Sequence, residues 1–215
     1  MIAGAFSSTS GLADKVLTTN GDILYYNSGR QRLAKGDNDD VLTLKSGLPS
    51  WEAAAGGGWE SLGSATLTGE ADIMTVSSIT AKKYLWILCH ILGTGTIHPV
   101  LRFDNDSGSN YTYRFSTNGN SDSTAVNQTS CRFGGGTDAI AQWIWCFIVN
   151  HADHEKLTCS QYNLTTAAGS GTAPQRETTV GVWNETSNQI SRIDVVNTQS
   201  GGFLADSTFV VFGRD

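Results

Sequence analysis

Tyr84-Leu85-Trp86-Ile87-Leu88-Cys89-His90-Ile91-Leu92 and Ile140-Ala141-Gln142-Trp143-Ile144-Trp145-Cys146-Phe147-Ile148-Val149-Asn150 are the two most apolar stretches of the chain. They decide its fold. Neither sustains a 3.6-residue period, and both are rich in the β-branched and aromatic residues that favour strands. In the second stretch a two-residue alternation sets Trp143, Trp145, Phe147 and Val149 on one face and Ile144, Cys146 and Ile148 on the other. Both faces of both strands are apolar apart from His90. This predicts strands that are buried on both faces, or in the first case covered on one side by a neighbour.

Further short apolar runs flank these two: SLGSATLT, IMTVSSI, HPVLRF, YTYRF, EKLTCSQYN, ETTVGVWN, NQISRIDVV and STFVVFG, each bounded by Gly, Asn, Asp or Ser. Many short strands with regular turn signals predict an all-β fold, an antiparallel β-sandwich of jelly-roll type over residues 59–215. Trp145 and Trp183 are expected to pair in its core. The chain ahead of Trp59 reads differently. Residues 1–18 are small and polar without a period, as in an extended arm. Residues 19–55 carry Ile23 to Tyr26 and Val41 to Leu44 between the turn signals Asn20-Gly21, Ser28-Gly29 and Leu48-Pro49. This is a β-hairpin module with too little apolar mass to stand alone, so it calls for partners, among them neighbouring copies of the chain. Gly56-Gly57-Gly58 forms a linker.

The composition agrees with this picture and excludes several function classes. A chain of 215 residues is long enough to bury a core without disulfides or metals. Only 16% of residues are charged, against 24 glycines, and the formal net charge is −6. Nucleic-acid affinity rests largely on Lys and Arg, so a nucleic-acid partner is not expected. No stretch is apolar and long enough to span a bilayer, and the first residues lack the basic and apolar regions of a secretion signal, so membrane insertion is not expected. The spacing of Cys89, Cys131, Cys146 and Cys159 fits no CxxC motif. Three of the four lie in apolar strand-like runs, where they read as small buried hydrophobes.

Gly21-Asp22-Ile23-Leu24-Tyr25, Arg32-Leu33-Ala34-Lys35-Gly36, Val41-Leu42-Thr43 and Pro49-Ser50-Trp51 follow one another in an order and spacing similar to a segment of tail-fibre and other structural proteins of tailed phages. The remainder, with Leu101-Arg102-Phe103, FDNDSGSNYTYRF, Lys156-Leu157-Thr158 and the closing ADSTFVVFGRD, resembles a β-sandwich from the carboxyl end of phage structural proteins. It departs from that pattern at His151-Ala152-Asp153-His154. The resemblance implies a virion component, made in the host cytoplasm: a tail fibre, head fibre or capsid decoration subunit, commonly a homotrimer. It also implies attachment to capsid, tail or baseplate proteins through the amino-terminal arm, and host-surface glycan as a further possible partner.

Candidate chemistry is sparse. His151, Asp153, His154 and Glu155 are ligand-type residues close in sequence, yet with no helix to converge them they read more simply as a polar turn. Asp104, Asn105, Asp106 and Ser107 carry oxygens suited to calcium, but the glycine and glutamate of an EF-hand loop are missing, and a hairpin turn is the simpler reading. No GxSxG motif and no organised carboxylate pair is visible, so no catalytic residue is assigned and the chain is read as a non-enzyme; a glycan depolymerase with its site shared between copies is the less favoured alternative. Gly134-Gly135-Gly136 is followed by no lysine and no helix, and reads as a loop rather than a phosphate cradle. No cofactor or metal site is assigned. The sequons at Asn105, Asn110, Asn127, Asn163 and Asn184 follow from composition. Aromatic residues are the remaining signal, because they anchor interfaces and stack on sugars. Trp86, Trp143 and Trp145, at strand spacing, are expected in the core. Trp51, Trp59, Tyr111 and Tyr113, close to turns, are the expected surface contacts.

Overall fold

The computed structural model describes residues 16–54, 58–136 and 141–215. The expected arm up to residue 15, residues 56 and 57 of the expected linker, and Ile140 lie outside the described residues. The fold is all-β and antiparallel throughout, with no helix among the described residues. The chain divides into two compact units, Met1–Gly57 and Gly58–Asp215.

The first unit holds two hairpins, each a separate two-stranded sheet: β1 (Ile23–Tyr26) with β2 (Arg30–Leu33), and β3 (Asp40–Lys45) with β4 (Leu48–Ala53). Lys45 pairs with Leu48, so Ser46-Gly47 is a two-residue turn, and both have positive φ (53° and 81°), as a type I′ hairpin requires. The unit is organised around Asp22, whose side chain is fully enclosed. Its carboxylate accepts hydrogen bonds from the backbone amides of Thr18, Thr19 and Lys35 and from Arg32 Nε at 2.7 Å. At the other end, Gly36 lies flat under Trp51. A β-carbon there would stand 2.7 Å from Trp51 Cγ and 2.9 Å from Asp40 Oδ2, so only glycine fits. Many apolar side chains still point outward, with Tyr26 78% and Leu44 77% exposed and Leu24, Val41 and Leu42 also open.

The second unit is a sandwich of two sheets. The larger has nine strands: β5 (Glu60–Thr66), β7 (Tyr84–Thr94), β9 (Tyr111–Thr117), β10 (Ser123–Gln128), β12 (Ala141–Val149), β13 (Lys156–Thr165), β14 (Gln175–Trp183), β16 (Gly202–Phe203) and β17 (Thr208–Arg214). They run β10-β9-β14-β13-β12-β7-β17-β5, with β16 added against β7. The smaller sheet has β6 (Ile73–Ser77), β8 (Pro99–Phe103), β11 (Cys131–Arg132) and β15 (Arg192–Asn197) in the order β11-β8-β15-β6. All the strands expected from apolar runs are present. The edge strands β10, β11 and β16 were not expected, because they are short or polar and carry little apolar signal.

Between the sheets, Ile87, Cys89 and Ile91 of β7 and Ile144, Cys146 and Ile148 of β12 meet Met74, Val76, Leu101, Phe103, Ile193 and Val195 of the smaller sheet. Among the described residues this core is drawn from residues between Leu62 and Val211. The alternation read for β12 holds, but the expectation of two buried faces does not. Only the face bearing Ile144, Cys146 and Ile148 is covered. The other carries Trp143, 45% exposed, and Phe147, 43% exposed. Trp145 and Trp183 therefore do not pair. Trp183 lies inside, with its ring centroid 5.4 Å from Phe103 and 6.2 Å from Tyr111, while Trp145 lies outside against Phe147.

Asp22 gives the hairpin unit a pH dependence. Its carboxyl is held well below the usual carboxylate range, first by the Arg32 hydrogen bond and then, against the opposing effect of burial, by the three backbone amides. A depressed folded pKa contributes stability that is complete above the unfolded value near about 4 and declines as pH falls below it. Backbone-amide protection in β1 and β2, corrected for intrinsic exchange, is expected to fall between pH 6 and pH 3; in Asp22→Asn it should be low at both.

Candidate functional site

Strand register maps the uncovered face of the large sheet residue by residue. One row across it reads Val182, Leu157, Val149, Tyr84, Arg214; the next reads Val180, Cys159, Phe147, Trp86, Phe212. A third reads Thr178, Gln161, Trp145, Leu88, Val210, and a fourth Arg176, Asn163, Trp143, His90, Thr208. The first two rows are almost wholly apolar, and the fourth is polar around Trp143. Aromatic rings interlock on this face: Trp86 stacks on Phe147 with centroids 5.4 Å apart, and Trp59 approaches both, at 5.8 Å and 6.0 Å. Next to this cluster lie two open hollows that share Leu157. One, of about 240 Å³, is lined by Trp59, Tyr84, Phe147 and Leu157; the other, of about 660 Å³, by Leu157, Val180, Val182 and Val126. Half of Leu157 and of Val180 is exposed (50% and 51%). No second sheet of the sandwich covers this face, and its apolar exposure exceeds the scattered exposure normal for a folded protein.

Four of these aromatic residues, Trp86, Trp143, Trp145 and Tyr111, fall the opposite way from the sequence expectation. Trp86, Trp143 and Trp145, expected in the core, lie on the outer face. Tyr111, expected at the surface, is fully buried: its hydroxyl accepts from the Phe103 amide and donates to the Asp106 carbonyl. It is therefore no surface contact. Tyr113 is half-buried against the core beside Phe115, Trp51 lies on Gly36, and Trp59 joins the outer aromatic cluster. Strand spacing alone carries no sign of which face is covered. The signal available was the inner alternation of Ile, Cys and Ile, which leaves the aromatic row to the other side.

The two acidic or histidine-rich loops are closed by the chain's own groups. Lys156 is fully buried, and its ammonium donates to the carbonyls of His151, His154 and Glu185 at 2.8, 2.7 and 2.8 Å. The turn around His151–Glu155 thus wraps an internal cation. Burial lowers the Lys156 pKa from its usual value. In the other loop, Asp104 Oδ1 accepts from the Ser191 amide, the Ser191 hydroxyl and the Arg192 amide. Asp106 accepts from the Gly108 amide, Asn110 Nδ2 and Trp183 Nε1. The carboxylates of Asp104 and Asp106 are thus engaged in fixing turns. Among the described residues no three His, Cys, Asp or Glu side chains converge on a point.

One buried charge network lies between the sheets. Glu177 accepts from both sides of the Arg132 guanidinium, at 2.5 and 2.8 Å, and from Thr117 and Tyr162. Burial opposes ionisation of Glu177, but the Arg132 and Thr117 hydrogen bonds hold its pKa below the ordinary value. His98 Nε2 lies 2.7 Å from Arg132 Nη1; burial and the Arg132 charge depress its pKa to about 4, so the ring is neutral and accepts. Arg132 also stacks on Phe115, 4.1 Å from the ring centroid. With each partner satisfied, the network joins β9, β11, β13 and β14 and leaves no free acid, base or nucleophile. Cys89, Cys131 and Cys146 are buried free thiols, with burial raising the pKa of each, whereas Cys159 is free and exposed on the outer face.

Comparison with protein-family models, curated proteins and solved structures found no match to this chain.

The Lys156 ammonium predicts a clear cost on its removal. Lys156→Met keeps the apolar stem and strips three carbonyls of their donor. A loss of on the order of 2 kcal/mol in denaturant-unfolding stability is expected, since orphaned acceptors carry most of such a penalty. A variant as stable as the parent would mean the loop is held otherwise.

Proposed function

We propose that the chain is a non-catalytic structural subunit of a tailed-virus particle, a fibre or capsid decoration protein that works as a homotrimer. The supporting observation is the contact set within the hairpin unit. Asp22 and Arg32, which belong to two of the four elements resembling the phage segment, form the ion pair at its centre. Gly36 and Trp51, from the second and fourth elements, pack against each other. The motif is thus one interlocked set of contacts, with each element supporting another. The unit is small and leaves Leu24, Tyr26, Leu42 and Leu44 in water, a surface that matching copies would cover. Closing three copies around an axis also removes open sheet edges. In this role the residues ahead of the hairpins attach to capsid, tail or baseplate proteins and the sandwich is displayed outward, on a virion assembled in the host cytoplasm.

A second reading, attachment to host-surface glycan, is favoured by Trp143. This exposed indole is flanked across the strands by Asn163 and His90, which offer hydrogen bonds of the kind sugar hydroxyls use beside an aromatic platform. Multivalent display would turn weak contacts of this sort into firm attachment.

The solution mass of the full chain by light scattering tests the structural reading. A mass three times that of the chain is expected across micromolar concentrations, with no hydrolysis of polysaccharide. A monomer at every concentration would contradict it.

A further inference from the structure

We infer that the aromatic outer face of the large sheet is an interface between copies of this chain, an inference that rests on the multi-copy role proposed above and locates one of its contacts. Four observations converge on a second copy as the occupant. The first is area. Strands stand about 4.8 Å apart and same-face residues about 6.7 Å apart along a strand, so each outward side chain covers about 32 Å² of sheet. The five strands from β14 to β17 each set four side chains outward, giving a face of roughly 650 Å² before side-chain relief adds to it. A standard interface takes about 800 Å² from each partner.

The second is charge. Across these five strands the four rows contain no carboxylate, and their arginines, Arg176 and Arg214, stand at diagonally opposite corners; on β9 Arg114 continues the second row beside Val180, at the edge of the larger hollow, where Asp122 pairs with it. Around the threefold axis of a homotrimer equivalent residues of the copies come together, so a face turned to that axis must be neutral at its centre. This one is, and Arg176 and Arg214 sit at the rim, where water solvates them.

The third is composition. The middle rows hold Phe147, Trp86 and Trp145, with Trp59 against Trp86 and Phe147, and polar groups gather along one edge, at the row of Asn163, His90 and Thr208. An apolar aromatic centre with a polar rim is the anatomy of protein interfaces. The fourth is shape. The two hollows on either side of Leu157 offer recesses into which aromatic side chains of a facing copy can insert.

Cys159 reports on this face directly, because it lies between Phe147 and Val180 and is the one exposed thiol among the four cysteines. The test is maleimide labelling of the full chain under native conditions, with the labelled site read by peptide mass and the solution mass measured on the same sample. At concentrations where the chain is oligomeric, Cys159 is expected to react at least ten-fold more slowly than in Phe147→Lys, which places a charge at the centre of the face. Cys89, Cys131 and Cys146 should stay unlabelled in both, showing that the variant is folded. If they react in Phe147→Lys, Val180→Lys takes its place, since that side chain points away from the core.

An oligomeric chain in which Cys159 reacts as fast as in the variant overturns this inference: the face is open, and the copies are held elsewhere, through the hairpin unit. That outcome leaves the homotrimer standing. A chain that is monomeric throughout overturns both.

Discussion

Strand β12 is hydrogen-bonded along its whole length to β7 on one side and β13 on the other, and this register dictates which side chains go inward. Because the side-chain period of a strand is two, every residue of Ala141–Val149 is committed once one of them is. Ile144, Cys146 and Ile148 meet the smaller sheet, and Trp143, Trp145 and Phe147 are thereby turned outward. The same holds for β7, where Ile87 and Cys89 go in and Trp86 and Leu88 come out. The large sheet thus has apolar side chains on both faces and a covering sheet on only one. The remaining features of the sandwich are consistent with that asymmetry, since its polar network and turns seal the inner side and its ends, not the outer face.

Buried charge is handled in the same manner throughout the chain. Asp22 in the hairpin unit, and Glu177 and Lys156 in the sandwich, are each enclosed and each surrounded by complementary groups from the chain itself. A buried ion without partners would be prohibitively costly, so such groups occur where several donors or acceptors converge. All three hubs tie together segments distant in sequence or joined by irregular turns: Thr18 to Lys35 around Asp22, β9 to β11 and β14 around Glu177, and two loops around Lys156. Clusters that read as ligand sets in the sequence act as the wiring of turns.

Much of the fold was legible because it rests on local patterns. The alternation in Ala141–Val149 and the turn residues between runs each have a direct structural cause. The short strands β10, β11 and β16 were not legible, because edge strands bury little and Ser123–Gln128 is mostly polar. The site was harder. Tyr111 sits beside a turn, yet its ring fills the core because the turn folds back through Asp106 onto Trp183. Trp143 and Trp145 have strand spacing, but spacing does not say which face a second sheet will cover. His151–Glu155 read as a polar turn, but the buried cation that organises it, Lys156, was not legible because it opens a segment that reads as an ordinary strand.

Each unit thus has an apolar surface of its own, the outward side chains of the hairpins and the outer face of the sandwich. Tryptophan fluorescence addresses the second most directly, because Trp59, Trp86, Trp143 and Trp145, four of the six in the chain, lie on that face. Emission followed down a dilution series, beside solution mass, is predicted to shift to longer wavelength as the oligomer dissociates and these indoles meet water. Emission that stays unchanged while the mass falls to that of one chain would contradict the account, since it would show the aromatic face equally wet before and after.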